Sequence, residues 1–118
     1  MKIYSLLVVV LLVHQTQPID GVCQFTPFQR SSYTLISTNA DWDASNAACI
    51  ACGAQMMKTP YGDNMTLVER IIGANTVFGD TAWVNIRNGD YCYFYMFKSG
   101  GKYAADCSTT AKYVLCVK

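Results

Sequence analysis

Six cysteines, Cys23, Cys49, Cys52, Cys92, Cys107 and Cys116, stand in a chain of 118 residues, and the segment ahead of them fixes their redox state. Lys2 is followed by an almost wholly apolar run from Ile3 to Val13, and polarity returns at His14-Gln15-Thr16-Gln17-Pro18. A basic end followed by an apolar run too short to span a bilayer has the form of a secretory signal peptide rather than an anchor. Residues 1–21 are therefore expected to be a signal peptide, cut between Gln15 and Gly21, and residues 22–118 one secreted, extracellular domain. An even number of thiols entering the oxidising route is expected to pair, so three disulfides are expected, with the connectivity open at this point. A redox or metal reading of Cys49-Ile50-Ala51-Cys52 lacks the second CxxC that a zinc site needs.

Removal of the leader narrows the chemistry. His14 is the single histidine of the chain and leaves with it. The mature domain then has no imidazole for Ser-His or Cys-His nucleophilic pairs, for acid–base steps or for nitrogen ligation of zinc. Glu69 is the one glutamate, and a carboxylate pair such as Asp90 and Asp106 is thin material for a glycoside hydrolase. No enzyme is expected. Loss of Lys2, with Asp20 kept or lost according to the cut, leaves a net charge of 0 or +1, and so no basic footprint for nucleic acid and no polybasic membrane patch. No later apolar run reaches spanning length, so no membrane insertion is expected.

Local patterns give an α+β layout. Tyr33-Thr34-Leu35-Ile36-Ser37 reads as a strand, being β-branched and aromatic between polar boundaries. Asp41 to Cys52 reads as a helix with acids in its first turn and Gly53 as its stop, and it sets Trp42, Ser45 and Cys49 on one face. Thr66-Leu67-Val68-Glu69 has capping-box spacing before Arg70-Ile71-Ile72 and a Gly73 stop, with Asp63 or Asn64 as alternative caps. Asn88-Gly89 between Ala82–Arg87 and Asp90–Phe97 is a strong hairpin signal. Lys102 to Cys107 returns as a strand, and Lys112 to Val117 closes the chain as a buried one. Asn64-Met65-Thr66 is a glycosylation sequon, so the mature protein is a candidate glycoprotein modified at Asn64.

Trp42 with Cys49 seven residues later, then Gly53 and Met56, a helix, Trp83-Val84-Asn85-Ile86 and the ending Tyr113-Val114-Leu115-Cys116 together resemble the C-type lectin-like domain, from about Tyr33 to Val117. The resemblance implies a C-type lectin-like fold of two helices packed on short antiparallel sheets and stapled by disulfides. It implies pairing of Cys49 with Cys116 and of Cys92 with Cys107, and leaves Cys23 with Cys52. That third pair departs from the family's usual extra bridge, which lies within an N-terminal hairpin.

The departures decide the expected function. In the family, calcium and sugar hydroxyls are held by a long loop carrying Glu-Pro-Asn or Gln-Pro-Asp and by Trp-Asn-Asp before the third cysteine. Here the loop has shrunk to Asn88-Gly89, and Pro27 and Pro60 lie far upstream. Lys102-Tyr103-Ala104-Ala105-Asp106 precedes Cys107, where one aspartate cannot supply the six or more oxygens that calcium takes. No cofactor and no calcium are expected. Asp63, Asn64 and Glu69, imaginable as a calcium corner, are accounted for as helix-start residues. The resemblance implies a lectin-type binding module for an extracellular protein or glycan, with a structural, matrix-associated protein as the alternative.

Tyr91-Cys92-Tyr93-Phe94-Tyr95-Met96-Phe97 is the most unusual stretch. Period two sends Cys92, Phe94 and Met96 to one face and Tyr91, Tyr93, Tyr95 and Phe97 to the other. The second set either forms an exposed aromatic ladder or supports the second helix or the N-terminal segment. The candidate ligand surface is accordingly Arg87, Asn88, Asp90, Tyr91, Tyr93 and Tyr95.

Overall fold

The computed structural model describes residues 23–58, 63–99 and 101–118, with side chains of 63–67 outside the description. The expected signal peptide and its cleavage site lie outside the described residues. The elements in chain order are β1 (Thr26–Phe28), β2 (Ser31–Ala40), α1 (Trp42–Ala51), β3 (Gln55–Met56), α2 (Asp63–Ile72), β4 (Thr81–Asn88), β5 (Tyr91–Met96), β6 (Gly101–Asp106) and β7 (Ala111–Val117). Among the described residues no helix is long and apolar enough to cross a membrane.

The strands form one sheet in the order β1-β2-β7-β4-β5-β6, with β3 also on β7. This differs from the expected set of short antiparallel sheets, because the last strand inserts between the first long strand and the hairpin. β7 runs antiparallel to β2, from Tyr33↔Val117 to Ala40↔Ala111, and parallel to β4 at Ala82↔Tyr113 and Trp83↔Val114. That one parallel pair makes the sheet mixed.

Both faces of the sheet are covered. On one, Trp42 and Cys49 of α1 pack with Ile36, Met56, Trp83, Cys92, Val114 and Cys116. On the other, Val68 of α2 packs with Met57, Ala82, Val84, Tyr95, Phe97 and Leu115. Neighbouring residues along a strand point to opposite faces, so the two cores explain why Ala82-Trp83-Val84 and Val114-Leu115-Cys116 are buried without alternation.

α1 forms as the sequence specifies. Asp41 caps it, its carboxylate accepting from the Ala44 N–H at 2.9 Å, and Trp42, Ser45 and Cys49 are its buried residues. Gly53, with φ of +68°, ends it: the Gly53 N–H donates to the Ile50 carbonyl and the Ala54 N–H to that of Cys49, the paired bonds of a Schellman stop. The Trp42 indole N–H donates to the Val84 carbonyl, and the Trp83 indole N–H to the Ala40 carbonyl, both at 2.9 Å.

α2 departs from expectation. It begins at Asp63, three residues before Thr66, where the capping-box reading places its cap, so Thr66 lies inside the helix rather than ahead of it. Glu69 does not turn back to a helix start; its carboxylate accepts from the Tyr95 hydroxyl and from the Lys98 backbone N–H at 2.9 Å, and lies 3.9 Å from Lys98 Nζ. It ties α2 to the far end of the hairpin. Gly73 closes the helix where a Cβ would come within 2.6 Å of the Glu69 carbonyl oxygen and 2.8 Å of the Phe97 ring. Asn64 falls in the first turn of α2, and its side chain is outside the described residues.

Three disulfides complete the frame. Cys49–Cys116 joins α1 to β7, Cys92–Cys107 joins β5 to the residue after β6, and Cys23–Cys52 ties the N-terminal segment to the end of α1, with Cα separations of 5.5, 4.9 and 5.5 Å. The first two are the pairs the resemblance implies and the third is the pair it leaves over, all at separations ordinary for the bond. Among the described residues no cysteine is free.

Candidate functional site

The β4–β5 hairpin forms, with its turn one residue later than read. Asn88 pairs with Tyr91, so the connection is Gly89-Asp90. Gly89, at the first central position, has φ of +63°, the sign that glycine supplies without cost in a II′ turn. The register slips between Trp83 and Arg87, which turns the Asn85 N–H toward the Met57 carbonyl at 2.8 Å and frees the Val84 carbonyl for Trp42.

Arg87 is the organising side chain at this tip. Its guanidinium carbon lies 5.4 Å from the centre of the Trp42 ring, Nε donates to the Gly89 carbonyl at 3.1 Å, and Nη1 donates to Asp43 Oδ1 at 3.2 Å. The ion pair is solvent-exposed and contributes at most about 1 kcal/mol, so its effect is to fix the arginine's direction more than to stabilise the fold. Asp41, Asp43, Arg87, Asp90, Asp106, Cys107 and Ser108 line an open depression of about 260 Å³. Hydrogen bonds from the Ser108 hydroxyl and then its N–H hold the Asp106 carboxyl below the usual carboxylate range.

The acids here do not converge. Asp41 caps α1, Asp43 meets Arg87 and Asp106 is held by Ser108. Among the described residues no group of three or more His, Cys, Asp or Glu side chains is placed to hold a metal ion.

The candidate surface residues divide along β5. Arg87, Asn88 and Asp90 are exposed, and Tyr91 is 62% exposed. Tyr93 is half-buried against the α2-side core, and Tyr95, at 4% exposure, lies within it beside Phe97, ring to ring at 5.2 Å and edge-on. Tyr95 is therefore removed from the candidate surface, and the ladder's inner end supports α2. The cause is topological: α2 covers this face at one end of the hairpin and leaves the tip in water. On the other face Phe94 is sandwiched between Trp83 and Tyr103, both at 5.9 Å.

Asp41, Asp43, Asp106 and Ser108 were not anticipated beside Arg87. No linear motif joins them. They meet because the Trp42 N–H donates to the Cys107 carbonyl at 3.2 Å, which sets the start of α1 against the β6–β7 connection.

No family model and no curated protein sequence matches the chain. Its structure, however, is similar to several solved ones. Botrocetin is 15% identical with a TM-score of 0.65, over 80% of this chain and 94% of that one. EMS16, an antagonist of the collagen receptor integrin α2β1, is 12% identical with a TM-score of 0.68, over 79% and 94%. SPL-1, solved as a GlcNAc complex, is 15% identical with a TM-score of 0.65, over 80% and 91%. All three are C-type lectin-like domains, and at this similarity they define the fold of the present chain: a C-type lectin-like fold.

Proposed function

We propose that the chain is a secreted, non-catalytic binding module of C-type lectin-like type that recognises an extracellular protein or glycan without calcium. The observation that carries this reading is the two-residue Gly89-Asp90 turn, which stands where the family's calcium and sugar loop departs. Of the four aspartates around that turn, Asp41, Asp43 and Asp106 are engaged with α1, Arg87 and Ser108, and among the described residues no three acids are placed together to hold a cation that needs six or more oxygens. Recognition would rest on the tip itself, an arginine fixed over tryptophan beside an exposed tyrosine, and Arg and Tyr are enriched where binding energy concentrates. Among the structural neighbours, EMS16 is an antagonist of a protein receptor and SPL-1 was solved with a sugar, which supports both ligand classes. Three disulfides in a small domain support secretion.

The test screens the disulfide-intact mature chain against arrays of glycans and extracellular protein domains, with calcium and with chelator. The expected result is a ligand bound equally in both conditions and weakened about 30-fold by Arg87→Ala or Tyr91→Ala, the loss typical of a binding hot spot. Binding that requires calcium, or that survives both substitutions unchanged, would overturn the proposal.

A further inference from the structure

The two edges of the sheet are unlike. β1 is three residues long and contains Pro27, features that discourage further pairing. β6 has neither protection. It is six residues without proline, paired to β5 without a bulge from Tyr91↔Asp106 to Met96↔Gly101, and among the described residues no strand lies on its outer side. Little side chain stands over that edge: Ala104 is exposed, and Tyr103 folds back along its own strand, where a Cβ on Gly101 would meet its hydroxyl oxygen at 2.6 Å. An unbulged edge strand with a row of outward backbone groups is a template for another strand.

We propose that β6 pairs antiparallel with β6 of a second copy of this chain, about a twofold axis at Ala104. The sequence of the strand selects this occupant and this register. With Ala104 opposite Ala104, Lys102 of each copy faces Asp106 of the other, and all of these residues share one face because they are two apart. Centring the axis one residue to either side sets Lys102 or Asp106 against Ala104 instead, so one register matches opposite charges twice. Asp106, whose carboxyl the Ser108 donors hold below the usual carboxylate range, carries its charge at neutral pH like any exposed aspartate. Exposed charge pairs add little affinity and act mainly on register, while the added ladder bonds hold the strands together.

The resulting interface is isologous and closes at two subunits, because β1 offers no equivalent edge for growth. It also places both hairpins in one continuous sheet, with the Tyr91 residues that flank the two tips displaced by about 13 Å in the strand direction, because Tyr91 is level with Asp106 and Asp106 is four residues from its counterpart.

Sedimentation equilibrium of the disulfide-intact mature chain tests the inference. The expected weight-average mass rises with concentration to twice that of the monomer, and a monomer mass at every concentration up to about 1 mM, where weak association is still read, overturns it. Ala104→Lys sets two ammonium groups on the axis of an exposed position and should raise the dissociation constant at least about tenfold. An unchanged constant refutes the register. Lys102→Asp should weaken the dimer, and adding Asp106→Lys should restore it to within about threefold, since reversing both partners restores complementarity. A double variant no better than the single one, with melting curves confirming that both are folded, contradicts the proposal.

Discussion

Replacing Cys49 and Cys116 together by alanine is expected to destabilise the domain by about 4 kcal/mol, through loss of the constraint on the unfolded chain. The bond closes a loop of 67 residues, more than half of the 118-residue chain, and it fastens α1 to the central strand β7. At about 4–8 °C per kcal/mol for a domain of this size, the melting temperature should fall by roughly 15–30 °C. The double substitution is the proper comparison because a single one leaves a thiol free to exchange. Cys92–Cys107 closes a loop of 15, so its removal should cost about 3 kcal/mol, visibly less. Equal losses, or no loss, measured by urea unfolding of the two variants would contradict the stated role of the longer loop.

Tyr95→Ala is expected to cost about 3–5 kcal/mol, whereas Tyr91→Ala should stay within about 0.5 kcal/mol of the parent. The two tyrosines lie on one face of one strand, yet only Tyr95 is inside the α2-side core, and its hydroxyl donates to Glu69. Burial, then the hydrogen bond to Glu69 and its negative charge, raise the Tyr95 hydroxyl well above the ordinary tyrosine value. The sign follows: above pH about 10 an unfolded tyrosine loses its proton while the folded one keeps it, so this contribution to stability is complete below pH 10 and declines as pH rises. Tyr95→Phe should therefore flatten the alkaline fall in stability, and an unchanged slope between pH 9 and 11 would count against the buried, Glu69-bonded hydroxyl. If Tyr91→Ala proved as damaging as Tyr95→Ala, the division of the ladder into a wet tip and a buried end would be wrong.

Much of the frame was legible because local chemistry and tertiary need coincide. The acids and alanines from Asp41 to Ala51, the Gly53 stop and the Trp42, Ser45, Cys49 stripe specify α1 and its buried face together. The hairpin is equally local, though Asn-Gly pointed to a turn one residue early: Gly89 occupies the first central position, and Asn88 stays in the ladder. β1 and β3 had no signal, since three and two residues carry no period and their pairing is made by β2 and β7. Glu69 at capping-box spacing misled because a half-buried carboxylate beside Tyr95 and the Lys98 amide finds better donors across the fold than at its own helix start. The depression at the hairpin tip was half legible. Arg87 and Asp90 follow from the turn, but Asp41 and Asp106 are 65 residues apart in the chain and meet only through the strand order.

The central claim is that a C-type lectin-like module with a two-residue tip works without calcium. The most direct measurement is the melting temperature of the disulfide-intact domain, residues 22–118, in millimolar calcium and in chelator. A site filled at 100 times its dissociation constant would add about 2.7 kcal/mol and raise the melting point by roughly 10 °C or more. The account predicts superimposable curves. A melting temperature that climbs with calcium and falls back with chelator would contradict it.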